Sequence, residues 1–294
     1  MKKNVTVWAF AALLAGVVGF SSCEKALKDA SETADSAEDF ANDQTAIAGM
    51  MDLVQDVSET QGFMGKNGNA ILPEGVSINY IDTTYTDLDG IEIEIDLGQG
   101  VECADGWKRS GKFKIYSNEK KYSEIGAKVW IGKDNSSISM TKSSNFVDSS
   151  YTLTFGSADH LTLERVETEK LSATYQFVLN FKAGSNSFSY TPTGTYSVLR
   201  TEGGNTPGIQ DDVYEISGSS TGENHNGTNY TMSITSPLVR KVDETCSKTF
   251  IKGGVELKNE GSSTSLKVDF GDGSCDNDIQ ITLPGGIKKT YTVK

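Results

Sequence analysis

Ile91-Glu92-Ile93-Glu94-Ile95-Asp96 alternates an apolar with an acidic side chain at every step. Only an extended chain sends successive side chains to opposite sides, so this run buries one set and wets the other. One-sided burial is the mark of antiparallel sheet. Working outward, the same period recurs in Tyr151, Leu153 and Phe155; in Tyr175, Phe177, Leu179 and Phe181; in Tyr230, Met232 and Ile234; in Leu266, Val268 and Phe270; and in Ile279, Ile281 and Leu283. By the run-and-turn rule roughly fourteen strands are expected from Val76 onward. Gly, Asn, Ser and Asp clusters separate them, and Pro73, Pro192, Pro207, Pro237 and Pro284 all sit in these punctuated stretches. No second helical stripe of useful length follows residue 62. That pattern excludes parallel β-α-β folds and the nucleotide-binding sheets.

Upstream the period changes. Phe40, Ile47, Met50, Met51, Val54 and Val57 recur at helical spacing, which predicts an amphipathic helix over 40–60. Gln44 interrupts the stripe, and Gly62 and Gly65 end it. The Met pair is expected to pack on the sheet rather than to form a partner-binding groove. Residues 23–39 are polar and mostly acidic, and read as a solvated tether. The fold class is therefore mainly β: an N-terminal amphipathic helix, then an extended antiparallel meander or sandwich. Ile95-Asp96-Leu97-Gly98-Gln99-Gly100-Val101-Glu102-Cys103 lines up with Val268-Asp269-Phe270-Gly271-Asp272-Gly273-Ser274-Cys275. This internal match predicts two related lobes, 76–166 and 171–294.

Residues 1–22 read as an export signal. Lys2 and Lys3 lead an apolar stretch from Val5 to Phe20, and Ser21-Ser22-Cys23 closes it. The stretch is short for a spanning helix. It resembles a bacterial lipoprotein signal with Phe20 where Leu is commoner. The resemblance implies a diacylglycerol thioether and N-acylation on Cys23, since several acyl chains anchor stably where one is marginal. The mature chain is then expected to hang from a membrane and not to cross it.

The chain of 294 residues carries Lys+Arg 27 against Asp+Glu 40, for a net charge of −13. That excludes a generic nucleic-acid partner, because a phosphate backbone needs a basic face. Two histidines leave little room for His-based metal or proton-shuttle chemistry. No cofactor is expected.

Asp269-Phe270-Gly271-Asp272-Gly273-Ser274-Cys275-Asp276-Asn277, with Pro284-Gly285-Gly286 beyond it, resembles the C-terminus of uncharacterised lipoproteins of the Bacteroidota. Cys103-Ala104-Asp105-Gly106 with Arg109-Ser110-Gly111-Lys112 is similar to their first repeat. The resemblance implies an envelope location and a β architecture, with no activity attached. It also implies that acidic residues after the lipid cysteine route such proteins to the cell surface, though here Lys25 and Lys28 interrupt the acidic run. Asp35-Ser36-Ala37 resembles the O-glycosylation acceptor of these bacteria, which makes Ser36 a modification candidate in the tether.

Past the inner membrane disulfides are permitted. A turn at Asn259-Glu260-Gly261 would bring Cys246 and Cys275 together, and a Cys246–Cys275 bond would restrain the unfolded chain by roughly 3 kcal/mol. The rival pairing is Cys103–Cys275. Asp269, Asp272, Asp276 and Asp278 crowd one loop and are the calcium candidates, but they lack the helix-loop-helix spacing and a closing glutamate. Asp-Gly turn chemistry accounts for them more simply. Gly218-Ser219-Ser220-Thr221-Gly222 matches a nucleophile elbow, but a loop containing His225 follows where a helix is needed. Gly106-Trp107-Lys108-Arg109-Ser110-Gly111-Lys112 resembles a P-loop but places Phe113 where Ser or Thr would hold magnesium. His160 reads as a turn residue. Among the aromatics Trp107, Trp130, Tyr85 and Tyr122, Trp107 lies in a charged turn and is the candidate glycan contact, while Trp130 reads as sheet core.

No catalytic residue is expected. The function expected is a non-catalytic binding or structural role at the outer membrane, with a glycan or protein as ligand. The alternative is a periplasmic-side carrier of apolar ligands in a curved half-barrel. A secreted glycan- or peptide-degrading hydrolase ranks third.

Overall fold

The computed structural model describes helical residues between 36 and 57 and most of 75–292. Left out within the latter are 83–89, 104–106, 119, 122, 133–135, 143–148, 184–185, 207–208, 210, 225, 243–249, 277 and 284–285. The signal at 1–22, Cys23, Tyr85, Tyr122, His225 and Cys246 lie outside the described residues. No helix among the described residues is long and apolar enough to cross a membrane.

The strands are β1 (Ser77–Asp82), β2 (Ile91–Asp96), β3 (Val101–Glu102), β4 (Lys108–Ser117), β5 (Lys128–Gly132), β6 (Ser137–Lys142), β7 (Ser149–Thr154), β8 (His160–Glu167) and β9 (Lys170–Gln176). They continue as β10 (Val178–Ala183), β11 (Asn186–Tyr190), β12 (Thr193–Glu202), β13 (Val213–Glu223), β14 (Asn229–Lys241), β15 (Lys252–Asn259), β16 (Leu266–Asp272), β17 (Asp278–Thr282) and β18 (Lys288–Thr292). All belong to one sheet.

The pairing is an up-and-down antiparallel meander. β4 pairs with β5 in one half and β6 in the other, so β5 and β6 act as one long bent strand. β5 then pairs β8 while β6 pairs β7, and β8 pairs β9 while β7 pairs β10. β9 pairs β12 while β10 pairs β11, after which β12 to β18 follow in sequence order. β5 and β6, β7 and β8, β9 and β10, and β11 and β12 are thus halves of long strands, broken where the sheet bends. Gly132, with φ of +134°, sits at one such break, where a Cβ would stand 2.3 Å from the Asp159 carbonyl oxygen.

The division expected between 76–166 and 171–294 falls inside this one sheet. The boundary near 166–171 falls on the β8–β9 hairpin, paired from His160↔Gln176 to Glu167↔Lys170. A single hydrophobic cluster runs from the helix through Ile91 to Ile281. What the two matching motifs share is local. Asp96 Oδ1 accepts the Gly98 N–H at 2.8 Å, and Asp269 Oδ1 accepts the Gly271 N–H at 2.9 Å. Each is an Asp capping the backbone two residues on.

The helix differs from expectation more. It begins by Ser36, inside the stretch read as tether, and Ala46 to Gln55 are buried without a break. A helix buried through more than two turns has no wet face, so it is enclosed rather than laid on a surface. The sheet curls around it. Phe40 meets Phe270 of β16 edge-on at 6.5 Å, Arg240 of β14 pairs with Asp52, and Arg109 of β4 reaches the Gly49 carbonyl oxygen at 3.0 Å. Strands from opposite ends of the meander therefore touch the same helix. Gly49 explains itself here: a Cβ would stand 2.7 Å from the Arg109 Nη2 atom that bonds its carbonyl. Close approach justifies a glycine that otherwise weakens a helix.

Candidate binding surface

The interior is built of apolar side chains and a polar seam along the helix. Tyr230 donates from its hydroxyl to Asp43 Oδ2 at 2.6 Å, and Asn224 donates to the Ser36 hydroxyl at 2.9 Å. Tyr175 donates to Tyr196 at 3.0 Å, with Gln44 and Ser220 against the pair. Register places Tyr230 opposite Gly222 and Tyr175 opposite Gly194. A Cβ at Gly222 would lie 2.6 Å from the Tyr230 hydroxyl oxygen, so the bare backbone lets the ring swing inward to the helix.

Burial pushes the Asp43 carboxyl well above the usual range, and the neighbouring Asp39 pushes the same way; the Tyr230 and Tyr190 hydroxyls pull it back. Tyr190 faces this carboxyl, yet neither its hydroxyl nor Asp43 Oδ1 completes a hydrogen bond among the described residues. Burial raises the Tyr175 hydroxyl to about 12. This seam is sealed from solvent and holds the helix; it does not open to a substrate.

The outer face carries the accessible chemistry. Trp107, the expected glycan contact, is 7% exposed and packs on Tyr151 at 5.4 Å. Trp130, expected in the core, faces outward, half-buried, and stacks on its register partner Tyr116 with ring centroids 5.9 Å apart and planes 14° from parallel. The two tryptophans exchange places for a reason of parity. Trp107 shares its side of the chain with buried Arg109, while Val129 and Ile131 take the core and leave Trp130 on the side of Lys128. That signal was present in Lys128-Val129-Trp130-Ile131. Trp130 lines a groove of about 440 Å³ with Asn118, Lys128, Asp159, His160 and Thr162. His160, read as a turn residue, opens β8 at this groove. A second cleft of about 560 Å³ lies between β13, β14 and β15, lined by Thr221, Glu223, Asn229, Thr231, Lys258 and Glu260.

Ser36 is fully buried and bonded to Asn224, so it is no acceptor for a sugar in the folded chain. Asp269, Asp272 and Asp276 each accept a backbone N–H two residues on. The Ser274 N–H holds the exposed Asp272 carboxyl below its ordinary value. Asp278 gives its N–H to Asp276. No three His, Cys, Asp or Glu gather as metal ligands among the described residues. Ser220 of the elbow-like motif lies inside β13, not on a strand-to-helix turn. Residues 108–112 of the P-loop-like segment lie in β4. Cys103 is a thiol, with Sγ 3.8 Å from the Val101 carbonyl oxygen, so the Cys103–Cys275 pairing is not formed.

Sequence reasoning missed the interior cations Arg109 and Arg240, 1% and 8% exposed. Their partners come from the helix, far off in sequence. No protein-family model matches the chain, and neither a curated protein nor a solved structure matches it.

Proposed function

We propose that this chain is a lipoprotein of a Gram-negative envelope, held at the outer membrane by acyl chains on Cys23, with a non-catalytic binding role. The Bacteroidota lipoproteins that its two glycine-cysteine motifs resemble are its relatives on this reading. The observation that carries it is the outward Tyr116–Trp130 pair beside a polar groove. Large aromatic faces kept half in water, next to hydrogen-bonding groups, suit a ligand with both apolar and polar sides, such as a glycan or a protein loop.

The carrier alternative needs an apolar hollow, and the helix occupies the concave side of the sheet. A hydrolase needs convergent groups open to substrate, whereas Asp39 and Asp43 are enclosed. Ser36 rests against Asn224, so the β13–β14 turn lies within roughly 45 Å of the anchor at full chain extension. A Cys246–Cys275 disulfide belongs to the same reading. It is supported by Cys275 being disulfide-bonded while Cys103 is not its partner.

The test has two arms. Labelling with palmitate and membrane fractionation should show a lipidated, sedimenting product, and Cys23→Ala should release it; a membrane-bound, unlabelled wild type sinks the anchor. On an array of glycans and envelope proteins the wild type should retain ligands that Trp130→Ala loses. An array silent for both sinks the binding role.

A further inference from the structure

We propose that the outer face of the sheet is a track for an uncharged polysaccharide, running across the strands from the Trp130 groove. This deepens the binding reading above and rests on it. The lateral register defines the track. Trp130 pairs with Thr162, Thr162 with Thr174, Thr174 with Thr195, Thr195 with Ser219, and Ser219 with Ser233. Direct register partners share a face, so these six side chains form one row. At about 4.8 Å per strand it spans roughly 24 Å. A second row, two residues along, joins His160, Gln176, Thr193, Thr221 and Thr231. It ends in the cleft of about 560 Å³, so the two openings lie at either end of one hydroxyl-lined field.

High strand propensity explains exposed threonines in general, but not this distribution. Serine has no such propensity, and charge is segregated from the row. The outer face of β2 and β4 carries the ion pairs Lys114–Glu92 and Lys112–Glu94, at 2.6 and 2.8 Å. Beyond β14 the row resumes as Glu256 and Lys267. Between Trp130 and Ser233 it holds no charge, in a chain with Asp+Glu 40 and Lys+Arg 27. Among the described residues the one ionic register pair beside it there, Lys128↔Glu164, is self-compensating. The hydroxyls of Thr162, Thr174, Thr195, Ser219 and Ser233 take no partner among the described residues. Each can both donate and accept.

A pyranose has the matching chemistry. Its C–H face lies on an indole ring, and its hydroxyl edges exchange hydrogen bonds with Ser and Thr. A charged polymer would look for cations that the row lacks. Each contact is weak in water, so affinity must accumulate along the chain.

Detergent-solubilised mature protein would be titrated calorimetrically against neutral oligosaccharides of two to six units (mannan-, xylan- and β-glucan-derived), and against polygalacturonate and chondroitin sulfate. Neutral ligands should bind, tightening by about tenfold from the shortest to the longest. Trp130→Ala and Thr195→Lys should each weaken binding by about fivefold or more, the size of a lost hydrogen bond. Thr290→Lys on β18, outside the row, should leave it unchanged, and circular dichroism checks that all three variants fold. Binding of acidic polymers or proteins alone overturns the track but leaves a binding module. So does neutral binding indifferent to length and to Thr195→Lys. Silence across this panel and the array removes both.

Discussion

Asp43 is a carboxyl that the fold keeps away from water. Its folded pKa is raised by burial, so the sign runs against the usual carboxylate case. Below the ordinary value of 3.8 both folded and unfolded chains carry the proton, and the site costs nothing. As pH rises above that value the unfolded chain ionises first, and stability falls until the folded carboxyl also ionises. Asp43→Asn keeps an acceptor for the Tyr230 hydroxyl and removes the titration. Thermal melts from pH 4 to 9 should show the variant gaining on the wild type as pH rises; parallel curves would mean that burial does not set this group. Tyr230→Phe leaves the same carboxyl without its donor and should cost about 1–3 kcal/mol in urea unfolding. Gly222→Ala, which displaces the Tyr230 ring, should cost a similar amount and be far from additive with it. At this scale the sequence held more than composition shows. The parity of Lys128-Val129-Trp130-Ile131 already turns Trp130 outward, whereas the local charge around Trp107 misdirects.

The helix shows how an element can be legible and still be misread. The stripe of Phe40, Ile47, Met50 and Val54 predicts it, and all four are buried. Asp43, Gln44, Asp52 and Gln55 look like its wet side, yet they are buried too, because the sheet covers that side and supplies Tyr230, Tyr175 and Arg240 as partners. Periodicity reports only which side is apolar; it is blind to polar residues that find partners more than a hundred positions away. The Arg240–Asp52 pair gives a direct test. Arg240→Ala or Asp52→Ala strands one buried charge and should destabilise by about 3–5 kcal/mol in denaturant. Arg240→Met with Asp52→Leu should recover most of that loss, since apolar replacement of a whole buried pair is often neutral. If the double variant is as unstable as either single one, the pair also sets helix position.

For the whole molecule, one helix fills the space that the meander encloses. Phe40 alone, packed on Phe270, removes a large aromatic surface from water, worth about 1.5–3 kcal/mol. Without the helix, Phe270, Met140 and Arg109 would line an open trough. A chain beginning at Gly75 should therefore bind a hydrophobic dye strongly and elute as aggregates, and co-expression of residues 36–57 should restore a monomer. A stable, dye-silent monomer without the helix would show that the sheet closes on itself. Peptide mapping without reductant should join Cys246 to Cys275 and leave Cys103 alkylatable.

The sequence by itself determined the antiparallel strands and most of their inward set. A side chain's side of a strand depends only on its parity, which is written locally. It also marked the helix and the turns where Asp caps the following N–H, both short-range matters. Only the tertiary structure decided that the sheet curls around the helix, that acids and arginines pair inside it, and that the hydroxyls of five strands align with Trp130 into one row. Those outcomes depend on register and curvature, which join residues remote in the chain and leave no period in the sequence to read.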